Sequence, residues 1–194
     1  MRGAMRKMAG WTTILDTIGN TPLLRLDRIA GFPVYAKAEY LNPGGSIKDR
    51  VARHMIEQAE KRGELKAGMT IAEATSGNTG IGITFVGVRK GYRVIIVMPD
   101  NMSEERRKII KAFGGELICT PAGESLSGCL KKLEDLKREI PGLFIPGQFV
   151  NPDNPEIHYQ TTAREIWEQM EGCVDAFVAG VGSGGTLAGV GRFL

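Results

Sequence analysis

The chain has 194 residues, 42% of them hydrophobic, which is enough for one large domain or two small ones with a sizeable core. Its 25 basic and 22 acidic residues are mixed along the sequence and leave a net charge of +3. Without a basic block or interleaved aromatic residues, the composition predicts neither a nucleic-acid partner nor a membrane surface. The N-terminal MRGAMRKMAGW lacks an apolar stretch of signal-peptide length, so we expect a frayed start and a cytoplasmic location.

Short apolar runs alternate with helical patterns in chain order. Strands are predicted at 23–26, 34–38, 70–74, 94–98, 116–119, 143–146 and 175–179. Helices are predicted from about residue 47, over 104–113 behind an N-cap at Ser103, and over 126–140. Strands alternating with helices at this rhythm predict an α/β fold with parallel sheets covered by helices on both faces.

The cysteines and histidines are too few and too scattered for a metal or disulfide framework. Cys119, Cys129 and Cys173 are odd in number and show no CxxC spacing, and His54 and His158 are the two histidines of the sequence. We therefore expect no metal site, and we expect the cysteines to be small buried apolar residues.

The stretch PGGSIKDR at 43–50 places a lysine amine at a predicted helix start. Ser46 followed by Asp49 has the spacing of a capping box, which puts Lys48 in the first turn. Helix N-termini favour anions, so a lysine there gains no stability and is biased toward its neutral, nucleophilic form. Lys48 is therefore a candidate Schiff-base lysine, although a lysine that merely solvates a helix face is the alternative.

Two further loops follow predicted buried strands. TSGNTG at 75–80 offers hydroxyl, amide and backbone N–H donors that suit a carboxylate, with a bare turn as the alternative. GVGSGGT at 180–186 suits a phosphate at a helix N-terminus. It also satisfies the dinucleotide pattern GxGxxG, and a glycine-rich turn needed only for close packing is a third possibility. Because ligands of parallel sheets bind at the carboxyl ends of strands, we expect the loops to converge on one crevice.

A condensing lysine, an anion loop without a cation and a phosphate loop are the parts that pyridoxal phosphate chemistry on an amino acid requires. These three motifs, with QFVNP at 148–152 before the last one, resemble the cysteine synthase (O-acetylserine sulfhydrylase) family of fold-type II pyridoxal phosphate enzymes. The resemblance implies that Lys48 anchors the cofactor and acts as the base. It also implies cofactor contacts from Asn78, Gly182, Ser183, Gly184, Gly185 and Thr186, and substrate carboxylate contacts from Thr75, Ser76, Gly77, Thr79 and Gln148.

The resemblance further implies the organisation and partners of the protein. Residues 1–44 and 147–194 would belong to a larger cofactor domain, and residues 45–146 would form a smaller α/β domain carrying the carboxylate loop. Family members are longer than this chain, so the larger domain is expected to be incomplete and to lack the hydroxyl that meets the pyridine nitrogen. The expected activity makes L-cysteine from O-acetylserine, or another O-activated serine, and sulfide. A homodimer and a serine acetyltransferase partner are implied as well.

Other functions stay open on the residues themselves. The carboxylate loop reads only the α-carboxylate, so β-elimination or β-replacement with homocysteine or phosphoserine is an alternative within the same chemistry. A non-catalytic binding or regulatory chain is the alternative from another class. A nicotinamide enzyme rests on GxGxxG alone and leaves Lys48 and TSGNTG unexplained.

Overall fold

The computed structural model describes residues 12–194, and the expected frayed start at 1–11 lies outside the described residues. The strands are β1 (Leu23–Arg25), β2 (Tyr35–Lys37), β3 (Thr70–Ala74), β4 (Arg93–Pro99), β5 (Glu116–Thr120) and β6 (Leu143–Phe144). The α-helices are α1 (Asp27–Ala30), α2 (Lys48–Arg62), α3 (Asn78–Arg89), α4 (Glu104–Ala112), α5 (Ser125–Glu139), α6 (Asp153–Ile157), α7 (Ala163–Gln169) and α8 (Gly185–Phe193). One π-helical turn, His158–Thr162, joins α6 to α7.

A four-stranded parallel sheet in the order β5-β4-β3-β6 forms the centre of the fold. All five residues of β3 are buried, as expected for a strand covered on both faces. Ile71 and Ile96 share one apolar cluster with Val51 of α2 and Val86 of α3. The opposite face carries a second cluster, which joins the sheet to Leu133 and other residues of α5. The predicted parallel sheet with helices on both faces is therefore confirmed for this part of the chain.

The first two strands correct the prediction that all sheets are parallel. β1 and β2 pair antiparallel, from Leu23 opposite Lys37 to Arg25 opposite Tyr35. Only about nine residues connect them, and a parallel pair needs a crossover of about a dozen residues or more. The short connection therefore forces the hairpin arrangement.

The strand predicted at 175–179 is absent, and the one predicted at 143–146 is shortened to two residues. A strand requires a neighbour for its N–H and C=O groups, and none of the six strands in the described part of the chain lies beside 175–179. Val178 is 90% exposed. The strand prediction at 175–179 is therefore wrong, because the apolar pattern did not reveal whether a pairing partner would be present.

Two of the three cysteines contradict the expectation that they are buried. Cys129 is buried in the cluster under α5, whereas Cys119 and Cys173 are exposed, and all three are free thiols. Cys119 lies on β5, which pairs with β4 alone and is therefore a sheet edge open to solvent. Among residues 12–194, no helix is long and apolar enough to cross a membrane, and no three potential metal-binding side chains lie together.

Candidate active site

Lys48 is the first residue of α2, as predicted, and it packs against the start of α3. A Cβ atom on Gly82 of α3 would lie 2.9 Å from the Lys48 carbonyl oxygen, so the two helices approach through backbone contact. The Lys48 side chain is half-buried, and burial lowers the pKa of its amine. Its Nζ atom forms neither a hydrogen bond nor an ion pair with residues 12–194. The amine is therefore held partly dry and available for chemistry.

The predicted capping box between Ser46 and Asp49 is wrong in detail. The N-cap is Ile47, and the Ser46 hydroxyl accepts the backbone N–H of Lys48 at 3.2 Å. The Asp49 carboxylate turns back to the preceding loop and accepts the N–H of Gly44 at 2.6 Å. Burial raises the pKa of Asp49 to about 6 although that hydrogen bond opposes the shift. Ser46 and Asp49 therefore hold the backbone around the helix start, at Lys48 and Gly44, but they do not form the reciprocal hydrogen bonds of a capping box.

The TSGNTG loop ends in the first turn of α3. Gly77 is the N-cap residue, Asn78 begins the helix, and the Gly77 N–H donates to the Thr75 hydroxyl at 3.2 Å. The side chains divide by burial, because Thr75 and Thr79 are buried whereas Ser76 and Asn78 are exposed. The exposed donors and the free N–H groups of the α3 N-terminus together form a surface that favours an anion.

Gln148 connects this loop to the segment before α6. The Thr79 hydroxyl donates to Gln148 Oε1 at 2.6 Å, and both side chains are buried. The Gln148 carbonyl oxygen accepts from Asn154 Nδ2 at 2.8 Å. Because Oε1 is engaged by Thr79, the Gln148 Nε2 group is the part of this side chain that remains to donate to a ligand.

The glycine-rich loop is joined to the same network. Asn154 Nδ2 also donates to Ser183 Oγ at 2.9 Å, so one amide links Gln148 to the loop. Gly184, with a φ of +79°, is the N-cap of α8, and a side chain on Gly185 would overlap the Asn154 amide. A cavity of about 240 Å³ lies between this loop and residues 148–155, and Lys48 does not line it. Hydrogen bonds thus connect the loop at 75–80 with the loop at 180–186 through Gln148 and Asn154, whereas the convergence of Lys48 on the same crevice stays a prediction.

His158 is a site residue that the sequence analysis missed. Its Nε2 lies 3.3 Å from the Thr186 hydroxyl, and its Nδ1 lies 3.0 Å from the Thr162 hydroxyl. Burial, together with the positive charges of Lys48 and Arg50, lowers the pKa of His158 to about 3. The ring is therefore neutral, and it fixes Thr186 at the end of the glycine-rich loop. π-helical turns are common at functional sites, but no sequence pattern predicted the π-helical turn at His158–Thr162.

Arg50 is the second residue that was missed, and it holds α2 in place. Its guanidinium contacts Glu39 at 2.8 Å and Glu165 at 2.6 Å, with only 2% of its side chain exposed. Burial works against the charge of Glu165, but hydrogen bonds from Arg50 and Lys37 lower the pKa of that carboxyl to about 2. Since Arg50 lies two residues after Lys48, this ion cluster anchors the turn that carries the lysine.

Comparison with known proteins places this site in a family. The chain matches the family described as pyridoxal-phosphate dependent enzyme over residues 14–194. The cysteine synthase of Staphylococcus aureus is 52% identical over 185 residues, which are 93% of this chain and 59% of that protein. A crystal structure of a hydrogen sulfide-producing enzyme from Fusobacterium nucleatum has a TM-score of 0.92 at 45% identity, covering 94% of this chain and 62% of that one.

A third relative extends the comparison to another product. A crystal structure of an O-acetylserine dependent cystathionine β-synthase from Helicobacter pylori has a TM-score of 0.90 at 41% identity, covering 96% of this chain and 62% of that one. The chain thus spans about three fifths of the length of these relatives. The predicted fold class is confirmed, and the chain belongs to the pyridoxal-phosphate dependent enzyme family, where its motifs and its relatives both indicate likeness to the cysteine synthases.

Proposed function

We propose that this protein makes L-cysteine by β-replacement, from O-acetylserine or another O-activated serine and sulfide, with pyridoxal 5'-phosphate as cofactor. The observation that supports this most is the hydrogen-bonded chain from Thr79 through Gln148 and Asn154 to Ser183, together with a half-buried lysine, Lys48, at the start of α2. It joins the loop that is proposed to bind the substrate carboxylate to the loop that is proposed to bind the phosphate, and with Lys48 these are the parts that this chemistry requires.

The residues present fit the phosphate of the cofactor. The glycine-rich loop ends at the N-terminus of α8, a nine-residue helix whose first N–H groups favour an anion. Cβ atoms on Gly182 and Gly184 would meet no other atom within 4 Å, so space for a ligand lies beside the backbone of this loop. Ser183 and Thr186 add hydroxyl groups, and we propose that residues 182–186 hold the phosphate and that Asn78 contacts the ring.

Lys48 is proposed to anchor the cofactor and to move the substrate proton. The bound cofactor withdraws electrons from the substrate α-carbon and so weakens its Cα–H bond. Burial lowers the pKa of the Lys48 amine and so favours its neutral form, in which Nζ is proposed to accept that proton. The donors of residues 75–79 and Gln148 Nε2 are proposed to hold the substrate carboxylate. Overall, the Cβ–O bond breaks, acetate leaves, and sulfide forms the new Cβ–S bond.

Product analysis tests this reaction directly. We expect the protein, supplied with pyridoxal phosphate, O-acetyl-L-serine and sulfide, to form L-cysteine and acetate in equal amounts. Lys48→Ala should reduce the rate by at least about 100-fold, since it removes the proposed base. Exposed Lys108, which pairs with Glu104 on α4, supplies the control variant Lys108→Ala, which should keep the wild-type rate. Cysteine formation by the wild type and Lys48→Ala at equal rates would refute the proposal.

A different second substrate is the alternative that the relatives favour. The structural neighbours include a hydrogen sulfide-producing enzyme and an O-acetylserine dependent cystathionine β-synthase. The site residues described above are proposed to bind an α-carboxylate. They do not specify which leaving group or which sulfur donor the reaction uses. Assays with serine, phosphoserine and O-acetylserine, each with sulfide or homocysteine, separate these reactions. A chain that binds the cofactor but turns over none of these substrates would support the non-catalytic alternative.

The larger-scale expectations are proposals as well. We propose a division into a cofactor domain of residues 1–44 and 147–194 and a smaller domain of residues 45–146, which contains the whole four-stranded sheet. The family resemblance supports a homodimer, a serine acetyltransferase partner and a cytoplasmic location. Light scattering of the purified protein, co-purification and cell fractionation test these three in turn.

A further inference from the structure

Gln148 is fixed at three separate points, and the sequence analysis accounted for none of them. Its side-chain oxygen accepts from Thr79, and its carbonyl oxygen accepts from Asn154. Its backbone N–H donates to Glu73 Oε1 at 3.4 Å, and the adjacent N–H of Gly147 donates to Glu73 Oε2 at 2.8 Å. One carboxylate of the sheet therefore holds both amides that lead into Gln148.

Glu73 lies two residues beyond the point where the pairing of β3 with β6 ends, while β3 stays paired with β4. β3 and β6 pair through Thr70 with Leu143 and Ile71 with Phe144, and the ladder ends there. Beyond that point, the Glu73 carboxylate accepts the backbone N–H groups of Gly147 and Gln148, which pair with no strand within residues 12–194. An apolar residue at 73 would leave those buried N–H groups without a partner.

The Glu73 carboxyl group is buried, so it does not serve as a solvent-exposed surface charge. Glu73 is 3% exposed, and no charged group in residues 12–194 contributes appreciably to its titration. Burial raises the pKa of Glu73 to about 7, although the two backbone hydrogen bonds favour the charged form. A buried carboxylate is costly unless its hydrogen bonds are satisfied, and both oxygens are used on this one loop.

We propose that Glu73 is a positioning residue for the substrate carboxylate, acting through the Gly147 and Gln148 amides to aim Gln148 Nε2 at the ligand. This rests on the proposed function, in which Gln148 contacts the substrate. Glu73 itself lies behind the loop and touches Gln148 rather than the reacting atoms. A purely structural residue at this position would stabilise the sheet without affecting substrate affinity.

Hydrogen exchange tests the positioning claim without any catalysis. In the 15N-labelled chain, we expect Glu73→Ala to speed exchange of the Gly147 and Gln148 amides by about tenfold or more, the equivalent of one lost hydrogen bond to a charged group. Glu73→Gln should fall between the wild type and Glu73→Ala, because the amide keeps one acceptor oxygen. The control is Glu116→Gln, whose surface carboxylate pairs with Arg93. Wild-type exchange at both amides in Glu73→Ala and Glu73→Gln would overturn the proposal.

Kinetics of the cofactor-loaded protein separate positioning from a structural role. We expect Glu73→Ala to raise KM for O-acetyl-L-serine by about tenfold while kcat changes by less than about twofold, with partial rescue in Glu73→Gln. A lower kcat in Glu73→Ala and Glu73→Gln, with KM for O-acetyl-L-serine unchanged from the wild type, would overturn the proposal. If Glu73→Ala does not fold, amide exchange and KM measured on Glu73→Gln alone test the proposal. A wild type without turnover would refute the proposed function, and the exchange measurement would still decide whether Glu73 holds the Gly147 and Gln148 amides.

Discussion

Glu73 also couples folding stability to pH, because its carboxyl group is buried. The pKa rises from 4.5 to about 7 on folding, so the folded state prefers the protonated form. Its contribution is complete below about pH 4.5 and is lost as the pH rises through 7. Replacing it by glutamine should remove on the order of 3 kcal/mol of pH dependence between pH 5 and pH 8.

Urea unfolding of the wild type and Glu73→Gln at several pH values measures this effect as a difference. The buried His158 shifts stability in the opposite direction, since its pKa is lowered, but it is present in both proteins and cancels. Parallel pH profiles for the two proteins would show that the Glu73 carboxyl titrates normally.

Asn154 links two loops through a single buried amide, and this makes it sensitive to substitution. Asn154→Ala removes the donors to Gln148 and Ser183 and leaves the buried Gln148 carbonyl oxygen without that partner. We expect a loss of about 2–3 kcal/mol in the free energy of unfolding. The exposed Asn101 supplies the control, and Asn101→Ala should change stability by less than about 0.5 kcal/mol. Equal stabilities of the two variants would contradict the proposed link.

The contact between α2 and α3 sets the position of Lys48 along the site. Gly82→Ala places a methyl group 2.9 Å from the Lys48 carbonyl oxygen, and the helix backbone must shift to admit it. We therefore expect Gly82→Ala to destabilise the protein by about 1–3 kcal/mol. Gly191→Ala on α8 meets no atom within 4 Å and should stabilise it by about 0.5–1 kcal/mol. Chemical denaturation of both variants checks the pair, and a stabilised Gly82→Ala protein would exclude the close helix contact.

The buried ion cluster connects α2 to distant parts of the chain. Among residues 12–194, Arg50→Met leaves the partly buried Glu39 without a charged partner and Glu165 with Lys37 alone, so we expect a loss of about 3–5 kcal/mol. Arg93→Met breaks a surface pair whose side chains are each 52% exposed, and it should cost at most about 1 kcal/mol. Thermal and urea unfolding measure both losses. Similar values for the two variants would mean that the Arg50 cluster contributes no more than a surface pair.

At the level of the whole molecule, the sequence was most informative where the pattern is local. The continuous apolar run at 94–98 predicted β4, because a strand buried on both faces is mostly apolar. Dense glycines and hydroxyl groups predicted two loops at helix starts, and both loops lead into a helix, α3 and α8. The antiparallel β1–β2 pair and the missing strand at 175–179 depend on which strands meet, and one segment does not encode its partner.

The parts of the site that escaped prediction are contacts between distant segments. Asn154, His158 and Glu73 act on residues 6 to 75 positions away, and each looks like an ordinary polar residue in its own stretch of sequence. His158 was one of two histidines and could have been singled out on that ground. Glu73 lies two residues before Thr75, within a predicted buried strand where a carboxyl group is costly, and that cost was the available signal.

The central claim is that Lys48 is the residue that condenses with the cofactor. Borohydride reduction of the protein with pyridoxal phosphate, followed by peptide mass mapping, tests it without requiring turnover. The account predicts one stoichiometric pyridoxyl label on the peptide that contains Lys48, and no label at that site in Lys48→Ala. A label distributed over exposed lysines, or an unlabelled Lys48 peptide in the wild type, would contradict the account.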